Sequence, residues 1–184
     1  MKKLFILIIF IFLYANCSVQ TREMDSPGEG IDIKIKSIYS ARGVKRPKDA
    51  DKEILDKFHI LVDLTLKKDY SSLPSLVNPK RGIYVDLKSH WSFNQLKEEL
   101  KNPESYLETF YFSQEKLNKE TGGGSYTVRN LLIMAEKLEI ELFFETEDSC
   151  EIKVKFLKNK SKEFDLNNPY FIRIDGKWYL YRLF

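Results

Sequence analysis

The chain has 184 residues, 43% hydrophobic, 14% aromatic and 31% charged, a composition that excludes collagen-like, low-complexity and wholly disordered chains. Thirty basic against 27 acidic side chains leave +3, too even a balance to imply a nucleic-acid partner. Two cysteines and two histidines are too few for a disulfide scaffold or a Cys- or His-rich metal centre, and no cofactor is implied.

Lys2 and Lys3 precede an unbroken apolar run of ten residues, Leu4 to Leu13. A spanning helix needs about 20; a basic start with a short apolar core is the plan of an export signal. The run closes Leu13-Tyr14-Ala15-Asn16-Cys17, which resembles a bacterial lipoprotein signal peptide in the relaxed form found in spirochaetes. Ala15 fits the pattern, Leu13 sits one place early, and Asn16 stands where that family has Gly or Ala. The resemblance implies removal of residues 1–16, lipidation of Cys17 (a diacylglycerol thioether with palmitate-type chains) and attachment to the cell envelope. Ser18 in place of Asp points to the outer membrane. Each buried CH₂ contributes about 0.8 kcal/mol, so two or three chains on one residue hold firmly. A secreted, soluble protein is the alternative. Loss of Lys2 and Lys3 leaves 28 basic against 27 acidic side chains, or +1, with no electrostatic pull toward anionic lipid or DNA. Cys150 is then the only free thiol, and Glu147, Asp148 and Glu151 around it disfavour the thiolate, so it reads as structural.

Residues 17–30 read as the acylated cysteine and a flexible polar tether, with Pro27, Gly28 and Gly30, and 31–184 as one α+β domain. Ile31, Ile33 and Ile35 alternate with charged residues, the pattern of a half-buried strand. After a basic loop at 41–48, Asp49 or Asp51 is expected to cap a helix reaching about Lys68, with Ile54, Phe58, Leu61, Val62 and Thr65 on its apolar face. Leu64 and Ile60 near its back predict cover on more than one side. A turn-rich stretch at 71–79 and a short strand at 82–87 follow. Ser92 and Gln95 form a capping box for a helix from Phe93 to Lys101. Residues 106–112 are aromatic and fit strand or helix; Gly122–Gly124 break the chain, and Thr127 starts another short helix. Two hairpins end the sequence, 138–157 and 169–184, the second closed by Asp175-Gly176, a strong type I′ turn signal. Helices followed by paired strands make the class α+β, with the helices on a curved antiparallel sheet.

This order resembles the NTF2-like or cystatin-like superfamily, in which a long N-terminal helix packs on such a sheet and the last hairpin often reads Asp-Gly-x-Trp. Asp175-Gly176-Lys177-Trp178 fits that ending. Leu76 to Ile83 is also similar to a Leu-Val-His-Pro-x-x-Gly-apolar stretch of exported bacterial proteins, with Asn78 in place of His.

The candidate pocket residues are His59, Tyr84, Asp86 and His90. His59 lies at the margin of its helix's apolar face beside Asp56 and Asp63, as a base oriented by a carboxylate or as a solvated boundary residue. His90 precedes a helix start, and Asp86 beside Tyr84 is a possible acid or base at the mouth of a cone. No Lys follows Gly122–Gly124, so they make no P-loop. The basic clusters at 42–48 and 80–81 lack interleaved stacking aromatics. Two functions follow from these residues: a non-catalytic domain binding or scaffolding an envelope or host partner, or a small-molecule binder or enzyme with an acid/base group in a pocket.

Overall fold

A computed structural model describes residues 30–184; the expected export signal, Cys17 and the expected tether through residue 29 lie outside the described residues. The described chain runs β1 (Asp32–Ser40), α1 (Ala50–Leu66), β2 (Ile83–Tyr84), β3 (His90–Trp91), α2 (Phe93–Glu99), α3 (Gln114–Thr121), α4 (Val128–Ala135), β4 (Lys137–Thr146), β5 (Ser149–Phe156), β6 (Tyr170–Ile174) and β7 (Lys177–Arg182). Single 3₁₀ turns stand at Leu73–Leu76 and Lys160–Asp165. The architecture is α+β, with a seven-stranded sheet ordered β1-β4-β5-β6-β7-β2-β3.

The helix α1 forms where the 3.6-residue pattern places it. Ile54, Phe58, Leu61, Val62 and Thr65 are all buried, and so is Leu64. Ile60 is not; it stays 43% exposed, so cover extends round one flank of the helix only. Neither expected cap operates through its side chain. Asp49 holds the cap position in a left-handed conformation (φ 59°) without a side-chain hydrogen bond, and Asp51 stands in the first turn, where a carboxylate complements the helix dipole. The other end is closed from outside: buried Arg129 of α4 donates from Nε to the Leu66 carbonyl at 2.9 Å. A cation at a helix C-terminus satisfies an orphan carbonyl and the dipole together.

Alternation builds the strands. On β4 and β5, Leu138, Ile140, Leu142, Phe144, Cys150, Ile152, Val154 and Phe156 are buried, while Glu139, Glu141, Phe143, Glu151, Lys153 and Lys155 between them are partly exposed. Asp175 (φ 50°) and Gly176 (φ 81°) close the β6–β7 hairpin with the two positive φ angles a type I′ turn needs. The expected antiparallel sheet needs correcting: it is mixed. β1 runs parallel to β4, and β2 parallel to β7. The whole helical half of the chain lies between β1 and β4, and such a crossover permits parallel pairing. A bulge between Ile35 and Ser37 interrupts β1, and Ile35 on this edge strand is 44% exposed.

The capping box of α2 is complete, with Ser92 Oγ accepting from Gln95 N–H and Gln95 Oε1 accepting from Ser92 N–H. The undecided aromatic run is a π-helical turn, Glu108–Phe112, which turns Tyr111 and Phe112 into the core. The turn preceding β2 brings backbone against backbone. Gly82 has φ +67°, and a Cβ built there would lie 2.1 Å from the Trp91 carbonyl oxygen. Gly82→Ala is therefore expected to destabilise the fold by at least about 2 kcal/mol, read as a lower urea midpoint. A midpoint unchanged from wild type would contradict this packing.

Candidate functional site

The buried face of the sheet is filled beneath α1. Phe58 of the helix meets Phe184 edge-on at 6.0 Å, and Phe144 meets Trp178 at 5.9 Å. Glu53 Oε1 accepts the Trp178 N–H at 3.1 Å, which ties α1 to β7. The opposite, open face carries the polar and aromatic side chains.

One register row crosses all seven strands on that face. Pair by pair it runs Tyr39–Phe143–Glu151–Tyr170–Arg182–Tyr84–His90. At its β1 end Tyr39 stacks on Phe143 at 5.1 Å. Lys153 Nζ lies 4.7 Å from the Phe143 ring centroid and donates to Tyr39 Oη at 2.9 Å. At the other end Arg182 is fixed three ways. Its Nη2 meets Glu151 Oε1 at 2.8 Å, its Nε donates to the Asn168 carbonyl at 3.0 Å, and its guanidinium lies 5.4 Å from the Tyr170 ring centroid. A further irregularity creates the site itself. The β6–β7 register shifts between Tyr170 and Phe171, so the consecutive residues Tyr181 and Arg182 both reach the open face, between buried Leu180 and Leu183.

The resulting groove has a volume of ≈ 410 Å³ and is lined by Tyr84, Leu87, Glu145, Glu151, Tyr170, Tyr181 and Arg182. Tyr170 donates its hydroxyl to Glu145 Oε2 at 2.6 Å. Burial, and then that hydrogen bond, push the Tyr170 phenol up to about 12. Burial, then the neighbouring Tyr84, also raise Tyr181, and the two rings meet edge-on at 5.3 Å. Tyr170 and Tyr181 therefore stay protonated donors at neutral pH, beside an arginine and two carboxylates already oriented by protein partners. Such a surface offers ring faces and fixed hydrogen-bonding groups to a ligand. Among the described residues no cluster of three or more His, Cys, Asp or Glu side chains has the geometry to hold a metal ion.

The candidates read from the sequence separate here. Tyr84 and His90 come together, ring centroids 4.8 Å apart, at the groove's β2–β3 rim. His90 Nε2 is engaged with the Arg81 carbonyl at 2.7 Å. Asp86 does not join them. Its Oδ1 accepts the Lys88 and Ser89 N–H groups, each at 2.6 Å, and its Oδ2 accepts the Tyr106 hydroxyl at 3.3 Å. His59 is exposed on α1, and Asp63, one of the two carboxylates beside it in sequence, pairs with Lys67 at 2.7 Å. Glu145, Glu151, Tyr170, Tyr181 and Arg182 were not singled out by sequence reasoning. The available signal was alternation in the last hairpin, where Tyr179 and Tyr181 flank the inward Leu180. Compared with models of protein families, with curated proteins and with solved structures, the chain matches none. The fold and the groove define an α+β protein with an open, tyrosine-lined sheet face.

Two outcomes test the roles assigned here. Burial raises the Asp86 carboxyl, but the Lys88, Ser89 and Tyr106 hydrogen bonds outweigh it and hold the pKa below the ordinary value. A carboxylate with a lowered folded pKa stabilises above its unfolded pKa of about 3.9 and loses that contribution as pH falls through the folded value. Asp86→Ala should cost about 1 kcal/mol at pH 7, with the gap to wild type narrowing in acid; urea titrations at the two pH values measure it, and a pH-independent gap contradicts the assignment. Cys150 is fully buried, and burial above all pushes its thiol up to about 12. In a Cys17→Ala chain, Ellman's reagent at pH 8 should find no accessible thiol before urea and one after it; rapid native reaction would show Cys150 to be open.

Proposed function

We propose that this chain is an exported lipoprotein of the bacterial envelope, at the outer membrane, whose α+β domain binds a ligand or protein partner without turning it over. The observation that carries the reading is the sequence from Lys2 to Cys17: a basic start, ten apolar residues and a cysteine two places after Ala15. The apolar run is half the length of a membrane span, which favours a cleaved signal over a retained helix. Diacyl attachment at Cys17 supplies enough buried CH₂ to keep the protein on a bilayer.

The binding part of the reading is supported by the tyrosine-lined groove. Arg182 and Glu151 are held to each other, and Tyr170 to Glu145, so the groove presents groups in fixed positions rather than a free nucleophile with an adjacent base. Asp86 spends its hydrogen-bonding capacity on its own hairpin and on Tyr106, which favours binding over acid–base chemistry at that residue.

The deciding experiment is metabolic palmitate labelling with Triton X-114 partition, comparing wild type with Cys17→Ala in the native bacterium. Wild type should take up label and enter the detergent phase, and the variant should lose both together. An unlabelled, aqueous wild-type protein would overturn the anchored reading.

A further inference from the structure

We infer that the end of the sheet at which the described chain begins is a membrane-facing surface, with Phe164 and Leu157 entering the headgroup–acyl boundary of the bilayer that holds the anchor. This rests on the lipoprotein reading and adds to it an orientation of the domain.

Three large apolar side chains share this end of the molecule. Phe164 is 85% exposed, Leu157 41% and Tyr126 39%. A phenylalanine so fully in water within an ordered 3₁₀ turn, Lys160–Asp165, makes no contribution to the core. Topology places it beside the start of the described chain. Asp32, where β1 starts, pairs in register with Lys137, where β4 starts. The Lys137 carbonyl accepts the Leu157 N–H at 3.2 Å, just past the end of β5. The start of β1 and the end of β5 therefore flank one strand, about 10 Å apart at two strand spacings. The loop 157–165 leaves from that point, and Lys162 Nζ lies 4.9 Å from the ring centroid of Tyr126, joining the two patches. Cys17 precedes Gly30 by 13 residues, a span of at most about 45 Å, so the anchor keeps this end within reach of its own bilayer.

The charges here are matched rather than attractive. Lys137 pairs with Asp32 at 3.2 Å, Lys162 with Asp165 at 3.6 Å, and Lys158 with Glu136. The occupant that suits an exposed Phe and Leu ringed by balanced charge is therefore a bilayer interface entered by apolar contact, not an anionic surface drawn by charge. Lysine stems permit this, since their ammonium groups reach out to the headgroup layer while the loop sinks. The tether raises the local concentration of lipid around the patch, so a weak insertion suffices to hold an orientation.

The test uses the full-length acylated protein in phosphatidylcholine vesicles with brominated acyl chains, flotation and palmitate label being checked on the same preparation. Phe164→Trp adds an indole at the patch. Leu87→Trp adds one at a 64% exposed position on the groove, beside β2 and three strands across the sheet from β5, with wild-type Trp91 and Trp178 as background. The fluorescence gained at 164 should be blue-shifted and quenched about two-fold or more by the bromines, as expected for insertion of roughly 5–10 Å, and that at 87 should be neither. An anchored, floating protein whose indole at 164 is red-shifted and unquenched overturns the inference and leaves the lipoprotein reading standing. A blue shift without bromine quenching places the residue in a protein contact and also overturns it. A protein that neither takes label nor floats removes the lipoprotein reading, and this inference with it.

Discussion

The buried hydroxyl of Tyr111 is the junction on which the assembly of this molecule depends. It lies 2.8 Å from the Val85 carbonyl oxygen and 3.0 Å from the main-chain oxygen of Phe184, so one side chain from the π-helical turn reaches the tails of β2 and β7 at once. These are the strands whose parallel contact joins the short β2–β3 hairpin to the rest of the sheet. The ring of Tyr111 meets that of Tyr70 edge-on at 5.9 Å, and Tyr70 Oη shares a 2.7 Å hydrogen bond with Thr65 of α1. Thr65 in turn donates to the Leu61 carbonyl at 2.8 Å. Helix, connecting loop and sheet thus meet in a run of buried polar groups. In a low-dielectric interior each of these must find its partner, because an unpaired one costs about as much as several good contacts supply. Burial correspondingly keeps both phenols protonated.

That junction sets what the open face can offer. The β2 strand is only two residues long, yet it brings Tyr84 against Tyr181 and extends the register row to His90. Without it the groove would lose one wall. The bulge at Tyr181 supplies the second condition, by placing two neighbouring side chains on the same face. A strand in perfect register would have turned either the tyrosine or the arginine into the core. Local irregularity, not regular pleating, is what collects the aromatic and charged groups in one place.

Much of the fold was legible because local chemistry decided it. The Asp175-Gly176 turn, the Ser92–Gln95 box and the alternation of Ile152, Val154 and Phe156 act within a few residues of chain, and each formed as read. The features that were not legible depend on partners distant in sequence. Nothing within Ile31–Ser40 announces that its neighbour is Lys137–Thr146, and parallel pairing leaves no turn signal between the two. Helix α3, Gln114–Thr121, buries only Leu117, too little for an apolar pattern to reveal it, and Ser113 and Gly122 at its ends carry the information instead. Among the candidate residues, Tyr84 and His90 meet across the β2–β3 hairpin, a pairing for which the sequence reading had no turn signal. Asp86, read as a possible acid or base beside Tyr84, uses its short side chain to close its own turn. Apart from Tyr84 and Leu87, the groove's residues come from β4 to β7, and only the register unites them.

The β1 strand has a consequence for how one molecule meets another. Among the described residues it pairs on one side only, with β4, and nine residues of bare strand edge are a template for linking one molecule to the next. The bulge at Lys36 breaks the row of main-chain groups partway along, and the Lys36 side chain is drawn across to Glu139 and Glu141, at 3.2 and 3.5 Å. An interrupted edge carrying a lysine resists polymerisation through the backbone. The same irregularity that spoils the strand's alternation guards this exposed edge against backbone pairing with a second copy.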